Sequence, residues 1–191
     1  GVVPVTIHTL SPTEFLDHCP QLVDVYITAM DYHPKVRAVR NTAWRNAVMF
    51  PEFRAVYALD GSRIVGVAYG HLGRAQQWWH SQIRQAVRNS DPRSVALNDY
   101  FEVAEVHVLP DYQGHGVGRA LLTELLAGVD SPYAILSTPE VAGENNRAFG
   151  LYRSFGFMDI LRNFLFRGDD RPFAVLYLRL EKSTTEKSPE H

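Results

Sequence analysis

Cysteine is almost missing from this chain: Cys19 stands alone, so no internal disulfide can form, and a reducing compartment is the natural setting. Long apolar runs are missing too. No stretch approaches the roughly 20 residues that a membrane-spanning helix needs, and Gly1-Val2-Val3-Pro4-Val5 lacks the charged start of a secretory signal. The expected location is cytoplasmic. Neither sign of charge prevails, because 19 Lys and Arg face 21 Asp and Glu for a formal net charge of -2. That balance leaves no basic field for nucleic acid or an anionic membrane, and neither is expected as a partner. His33 and His80 lack neighbours at metal-ligand spacing, so no metal is expected. No internal repeat or low-complexity linker breaks residues 1–180.

What the chain does have is enough apolar sequence for one substantial core. A single domain over 1–181 is expected, with the polar segment 182–191 as a flexible tail. Ser11-Pro12-Thr13-Glu14 reads as a helix start, since a capping hydroxyl, an N1 proline and an acidic N3 coincide. Helices over 12–30 and 34–49 should follow a first strand, Val3 to Leu10. Arg54 to Leu59 and Arg63 to His71 read as a hairpin turning at Asp60-Gly61. Further strands are expected at Asp99 to Leu109, Tyr133 to Ser137, 157–167 and 172–180. The stretch at about 74–91 is longer than a hairpin-to-strand connection requires, which favours a lid or binding element. A mixed sheet flanked by helices buries these faces most simply, an α/β (α+β) arrangement.

The densest chemistry lies in Val108-Leu109-Pro110-Asp111-Tyr112-Gln113-Gly114-His115-Gly116-Val117-Gly118-Arg119. A strand ends, the backbone curls through glycines, and a helix begins with unpaired first-turn N–H groups at its positive pole. Such a turn suits a diphosphate. It is neither the G-x-G-x-x-G of dinucleotide folds nor a P-loop, which would close on Lys-Ser or Lys-Thr. A second segment, Asn145-Asn146-Arg147-Ala148-Phe149-Gly150-Leu151-Tyr152-Arg153-Ser154-Phe155-Gly156-Phe157, reads as a short helix. Asn145 is a candidate N-cap, Ala148, Leu151, Tyr152 and Phe155 share one face, and Gly156 suits the left-handed stop. Asn145 and Tyr152, seven residues apart, would then lie on nearly one side, separated by roughly 10 Å.

Gln113-x-x-Gly116-x-Gly118 resembles the acetyl-CoA signature of the GNAT N-acetyltransferase superfamily, Q/R-x-x-G-x-G/A, and the second segment resembles its N-x-x-A-x-x-L/F-Y-x-x-x-G-F element. The resemblance implies the GNAT fold: a mixed central sheet of about seven strands, about four flanking helices, and here a helical insertion at about 74–91. It implies transfer of an acetyl group from the cosubstrate acetyl-CoA to a primary amine by direct attack through a tetrahedral intermediate. Gln113, Gly114, His115, Gly116, Val117, Gly118 and Arg119 would hold the diphosphate. The backbone at Val106 and Val108 would pair with the pantetheine arm as an added strand, and Asn145 would also touch that arm. The Val108 amide could polarise the thioester carbonyl.

The resemblance makes Tyr152 the acid that protonates the departing thiolate. It also asks for a carboxylate base on the strand before the cradle, four residues before Val108. That position holds Ala104, so Glu105 is chosen, one step out of register. Strand alternation sets Glu102 and Ala104 on one face and Glu105 and His107 on the other, which keeps Glu102 as a competitor. Asp99 and His107 rank behind both. For the acceptor, the segment from Tyr26 through Met30, Asp31, Tyr32 and His33 and the insertion around Trp78 and Trp79 are candidates. The paired tryptophans suggest an apolar or aromatic acceptor and lean mildly toward a small molecule, while helix docking on the core or a homodimer contact competes on at least equal terms. Two other classes compete: a catalytically silent acyl-CoA sensor of the same fold, and an unrelated phosphate-binding α/β protein.

Overall fold

The computed structural model describes residues 4–181. The polar segment 182–191, expected to be a flexible tail, lies outside the described residues. Seven strands form one mixed sheet; counted along the chain, they lie side by side in the order 1-2-3-4-5-7-6. Five α-helices accompany them among the described residues, four as expected plus one in the insertion. None of these helices is long and apolar enough to cross a membrane. The described residues group into two compact units, residues 4–71 with 103–127, and 72–102 with 128–181.

The first unit opens with β1 (Val5–Leu10) and α1 (Pro12–Met30). The capping box forms as the sequence predicts: Glu14 N donates to Ser11 Oγ at 3.1 Å and Ser11 N donates to Glu14 Oε1 at 2.8 Å. α1 ends on Asp31 in the left-handed region, φ 53°. The second helix is shorter than predicted. A 3-10 turn over Pro34–Val36, capped by the His33 imidazole accepting from Lys35 N, precedes α2 (Arg37–Ala47). β2 (Arg54–Asp60) and β3 (Arg63–Leu72) make the expected hairpin, with a bulge where Ala58 faces Gly66 but Leu59 faces Ile64. Phe15, Leu22, Trp44, Val65 and Val67 are buried in its core. The last part of β4 (Tyr100–Val108) and α4 (Val117–Leu126) complete the unit. A Cβ at Gly66 would stand 3.0 Å from Leu121 Cδ1 and 3.3 Å from the His107 carbonyl oxygen, so α4 seats on a strand stripped of its side chain there.

In the second unit, Tyr100–Glu102 of β4 pair in parallel with Tyr133–Ile135 of β5 (Tyr133–Pro139). β5 pairs antiparallel with β7 (Phe173–Arg179), and β6 (Met158–Phe164) lies on the far side of β7. The insertion forms α3 (Trp78–Ala86) and a 3-10 turn over Pro92–Asn98. Ile83, Leu97, Tyr100, Ile135, Phe166 and Val175 share one core, with Trp79 packed on it. α5 (Arg147–Phe155) buries Phe149 and Tyr152.

Candidate functional site

In the first unit, β4 ends at Val108, and Pro110 starts a 3-10 turn over Pro110–Tyr112. Gln113 then folds back. Its side-chain Nε2 donates to the Val108 carbonyl at 2.9 Å and its main-chain N–H donates to the Pro110 carbonyl at 3.2 Å. Both bonds tie Gln113 into the loop. Tyr112 adds a second tie, its phenol hydrogen-bonded to Asp60, and Arg63 lies 5.7 Å above its ring.

Gly114 (φ 79°) and Gly116 (φ 84°) both sit in the left-handed region. That alternation turns successive N–H groups to one side, the geometry of an anion-binding nest. α4 starts at Gly116 without a side-chain cap, and the first main-chain bond back to the turn comes from Ala120 N to Gly116 O at 3.0 Å. The amides of Gly114, His115, Gly116, Val117 and Gly118 therefore have no hydrogen-bond partner among the described residues. A Cβ at Gly116 would meet nothing within 4 Å. The torsion demands that glycine, and the space beside the amides stays open.

β4 alternates as predicted. Leu109 N donates to Val65 O of β3 at 2.9 Å, which turns the N–H and C=O of Val108 to the opposite edge. Among the described residues the parallel ladder occupies Tyr100, Phe101 and Glu102, so Val106 and Val108 lie beyond it. Glu105 and His107 share a face and meet, Oε1 to Nε2, at 2.6 Å. The imidazole meets the Tyr26 ring edge-on at 4.9 Å and lies nearly parallel to Trp44 at 6.4 Å. Glu102 belongs to the second unit, where its charge and, more strongly, burial raise the Tyr100 phenol far above its ordinary value. Period-2 spacing could have revealed the Glu105–His107 pair; the aromatic wall could not be read from sequence.

In the second unit the structure corrects the expected cap. Asn146, not Asn145, is the N-cap of α5: its backbone is extended (φ −149°, ψ 170°) and its side chain accepts from Phe149 N at 2.9 Å. The two asparagines are adjacent, and only the one three residues before a free helical N–H can cap it. Asn145 falls before the helix, bonded N to Ala142 O at 3.1 Å, so the two-turn spacing to Tyr152 does not hold. An ion network fixes this bend. Arg153 grips Glu144 through two 2.8 Å bonds, Arg162 reaches it at 2.9 Å, and Arg153 also binds Asp159 at 2.6 Å. Hydrogen bonding to Arg153, despite a smaller desolvation cost, pulls the Glu144 carboxyl to about 2. Tyr152 is 8% exposed and its ring meets Phe157 edge-on at 5.8 Å.

The insertion docks on its own unit. Trp79 stacks on Phe166 at 6.3 Å and donates Nε1 to Ser137 Oγ at 3.2 Å, while Trp78 stays 55% exposed. His80 Nδ1 and the Tyr100 hydroxyl lie 2.9 Å apart.

A family model for the acetyltransferase (GNAT) domain matches residues 52–159, more than half of the chain. The chain belongs to the GNAT acetyltransferase family. The matched GNAT stretch contains the cradle, Glu105, His107 and Tyr152. A GCN5-like protein acetyltransferase of Mycobacterium tuberculosis is 35% identical over 193 residues, 87% of this chain and 94% of that protein. The crystal structure of a GNAT-family acetyltransferase from Desulfovibrio desulfuricans matches with a TM-score of 0.65 at 15% identity, over 92% of this chain and 99% of that one. Arabidopsis thaliana NAA60 in complex with acetyl-CoA matches with a TM-score of 0.61 at 17% identity, over 93% and 99%. These two likenesses establish the GNAT fold.

Proposed function

We propose that this GNAT chain transfers an acetyl group from acetyl-CoA to a primary amine carried by a protein. The run of amides from Gly114 to Gly118, without internal partners, carries the reading. Five donors, running into the positive end of α4, match the charge of a diphosphate and have no partner recorded within the loop. His115, within the run, and Arg119, next to it, are exposed. Gln113 keeps the loop in shape, Val106 and Val108 offer main-chain groups to the pantetheine amides, and Asn145 contributes its side chain to that arm. Acetyl-CoA supplies the thioester.

The nucleophile must first lose a proton, since a lysine-type amine holds it to a pKa near 10.4 and an α-amine to near 8. Glu105 takes that proton, directly or through water. The Val108 N–H, directed away from β3, donates to the carbonyl oxygen as its charge develops. Tyr152 gives its phenolic proton to the thiolate as the carbon–sulfur bond breaks, and regains one from solvent.

The protein acceptor is supported by the 35% identical relative, a protein acetyltransferase by name. The ground for a small molecule has weakened, because Trp79 is committed to the core of its own unit.

Thiol release with acetylated and free peptide amines, beside a panel of small amines, tests the acceptor class. Turnover with peptide amines is expected; turnover confined to small amines overturns it. In the same assay Tyr152→Phe should lower kcat by about a hundredfold or more while leaving CoA affinity nearly intact. Wild-type turnover in that variant would remove Tyr152 from the chemistry.

A further inference from the structure

We propose that His107 is the positioning residue for the catalytic base, orienting the Glu105 carboxylate through an imidazole that α1 and α2 lock in place. The inference rests on the acetyl-transfer reading above and deepens its account of the base. Glu105 Oε1 lies 2.6 Å from His107 Nε2, with side-chain exposures of 21% and 10%. An ionised carboxylate can only accept, so a contact this short places the proton on Nε2 and makes His107 the donor. One carboxylate oxygen is thereby tied down. Oε2 is left to receive the proton of the incoming amine.

A lone pair of strand neighbours two residues apart would be weak ground, but this imidazole is also held from two helices. Tyr26 of α1 meets it edge-on at 4.9 Å, and Trp44 of α2 lies across it at 6.4 Å, 19° from parallel. Tyr26 is buttressed by Tyr32 at 5.4 Å, and Arg40 of α2 lies 5.4 Å above its ring. The Trp44 indole is 1% exposed, yet its Nε1 has no hydrogen-bond partner among the described residues. Packing therefore places that ring beside the imidazole at a polar cost, and such costs concentrate where geometry serves function. Among the described residues, the charged and titratable groups that meet His107 are Glu105 on its own strand and Tyr26 on α1, whose ring Arg40 of α2 covers.

The residues that wall the imidazole also lead to the α1–α2 connection, where Tyr32 and His33 stand. The sequence offers that connection as an acceptor element. A base oriented from that side would couple acceptor entry to proton removal, because displacing Tyr26 would unseat the imidazole and with it the carboxylate.

Two substitutions on the full chain separate this role from simple packing. His107→Phe keeps an aromatic ring for Tyr26 and Trp44 and removes the donor. It should lower kcat with a peptide amine on the order of tenfold or more and leave the KM for acetyl-CoA unchanged. His107→Gln, which returns an N–H near the Nε2 position, should recover part of kcat. Wild-type kcat in His107→Phe overturns the positioning role, as does a Gln variant no better than Phe. Glu105→Gln keeps the two readings apart. Full turnover in that variant overturns Glu105 as base, whereas its collapse beside a wild-type His107→Phe removes His107 alone.

Discussion

Replacing Gly116 with alanine tests the cradle through one torsion. Gly116 holds φ 84° and ψ 6° at the start of α4, and a Cβ there would touch nothing within 4 Å. Steric collision with a neighbour is thus excluded, and the perturbation reduces to placing an L-residue in the left-handed region, about 1–2 kcal/mol. The chain can meet that cost in two ways. If the turn keeps its shape, the folded state carries the strain. A chain of this size loses about 2–4 °C of Tm per kcal/mol, so the melting point should fall by about 2–8 °C with acetyl-CoA affinity retained. If the turn relaxes, φ at 116 changes sign and the amides on either side rotate out of the nest. The same 1–2 kcal/mol then appears in binding, a Kd weaker by about 5- to 30-fold. Thermal unfolding of the free protein and calorimetric titration with acetyl-CoA read the two costs separately, and their sum should come to about 1–2 kcal/mol. Gly116→Asn should lose less than alanine, because asparagine tolerates the left-handed region. An alanine variant with unchanged Tm and unchanged Kd would refute the reasoning, since neither the fold nor the ligand would then depend on this torsion.

Gly73→Ala should damage the second unit by a different route. A Cβ there would lie 2.1 Å from Cζ of Tyr100, so the ring, itself fully buried, must move. Overpacking of this kind costs about 1–3 kcal/mol or more, and a drop in Tm without any change in the cradle's Kd is the expected result; an unshifted Tm would count against the packing. His80 gives a pH test. Burial lowers its imidazole pKa below the ordinary value near 6.5, so below that pH the unfolded chain takes up a proton that the folded chain resists. The stability it contributes is complete above about pH 6.5 and is lost as pH falls toward the folded value. Melting curves between pH 7.5 and 5 should show a slope that flattens in His80→Gln; equal slopes would remove His80 as its source.

Local signals were legible wherever a backbone need selects a residue type. Ser11, Pro12 and Glu14 announce the start of α1 because a capping box is satisfied within four residues. Asp60-Gly61 marks the hairpin because its turn needs positive φ, which Gly61 supplies. Gly114 and Gly116 declare the cradle for the same reason. Where two candidates were chemically equal the sequence had no means to choose: Asn145 and Asn146 both could cap α5, and only the path of the preceding bend, held by Glu144, Arg153 and Arg162, decides for Asn146. The tryptophan pair posed the same kind of choice, since adjacency says nothing about which ring finds Phe166 and Ser137.

The sequence by itself therefore determined the family of this chain and the glycine turn before α4, because those depend on residue types and torsions set within a few positions of one another. Tertiary structure alone decided which side chains meet. Glu105 and His107 are neighbours by strand alternation, but the imidazole is held still by Tyr26 and Trp44, which are about 80 and 60 residues away along the chain and packed within 7 Å of it. Contacts of that kind arise from burying helix faces against a sheet, a property of the whole core that no local spacing encodes.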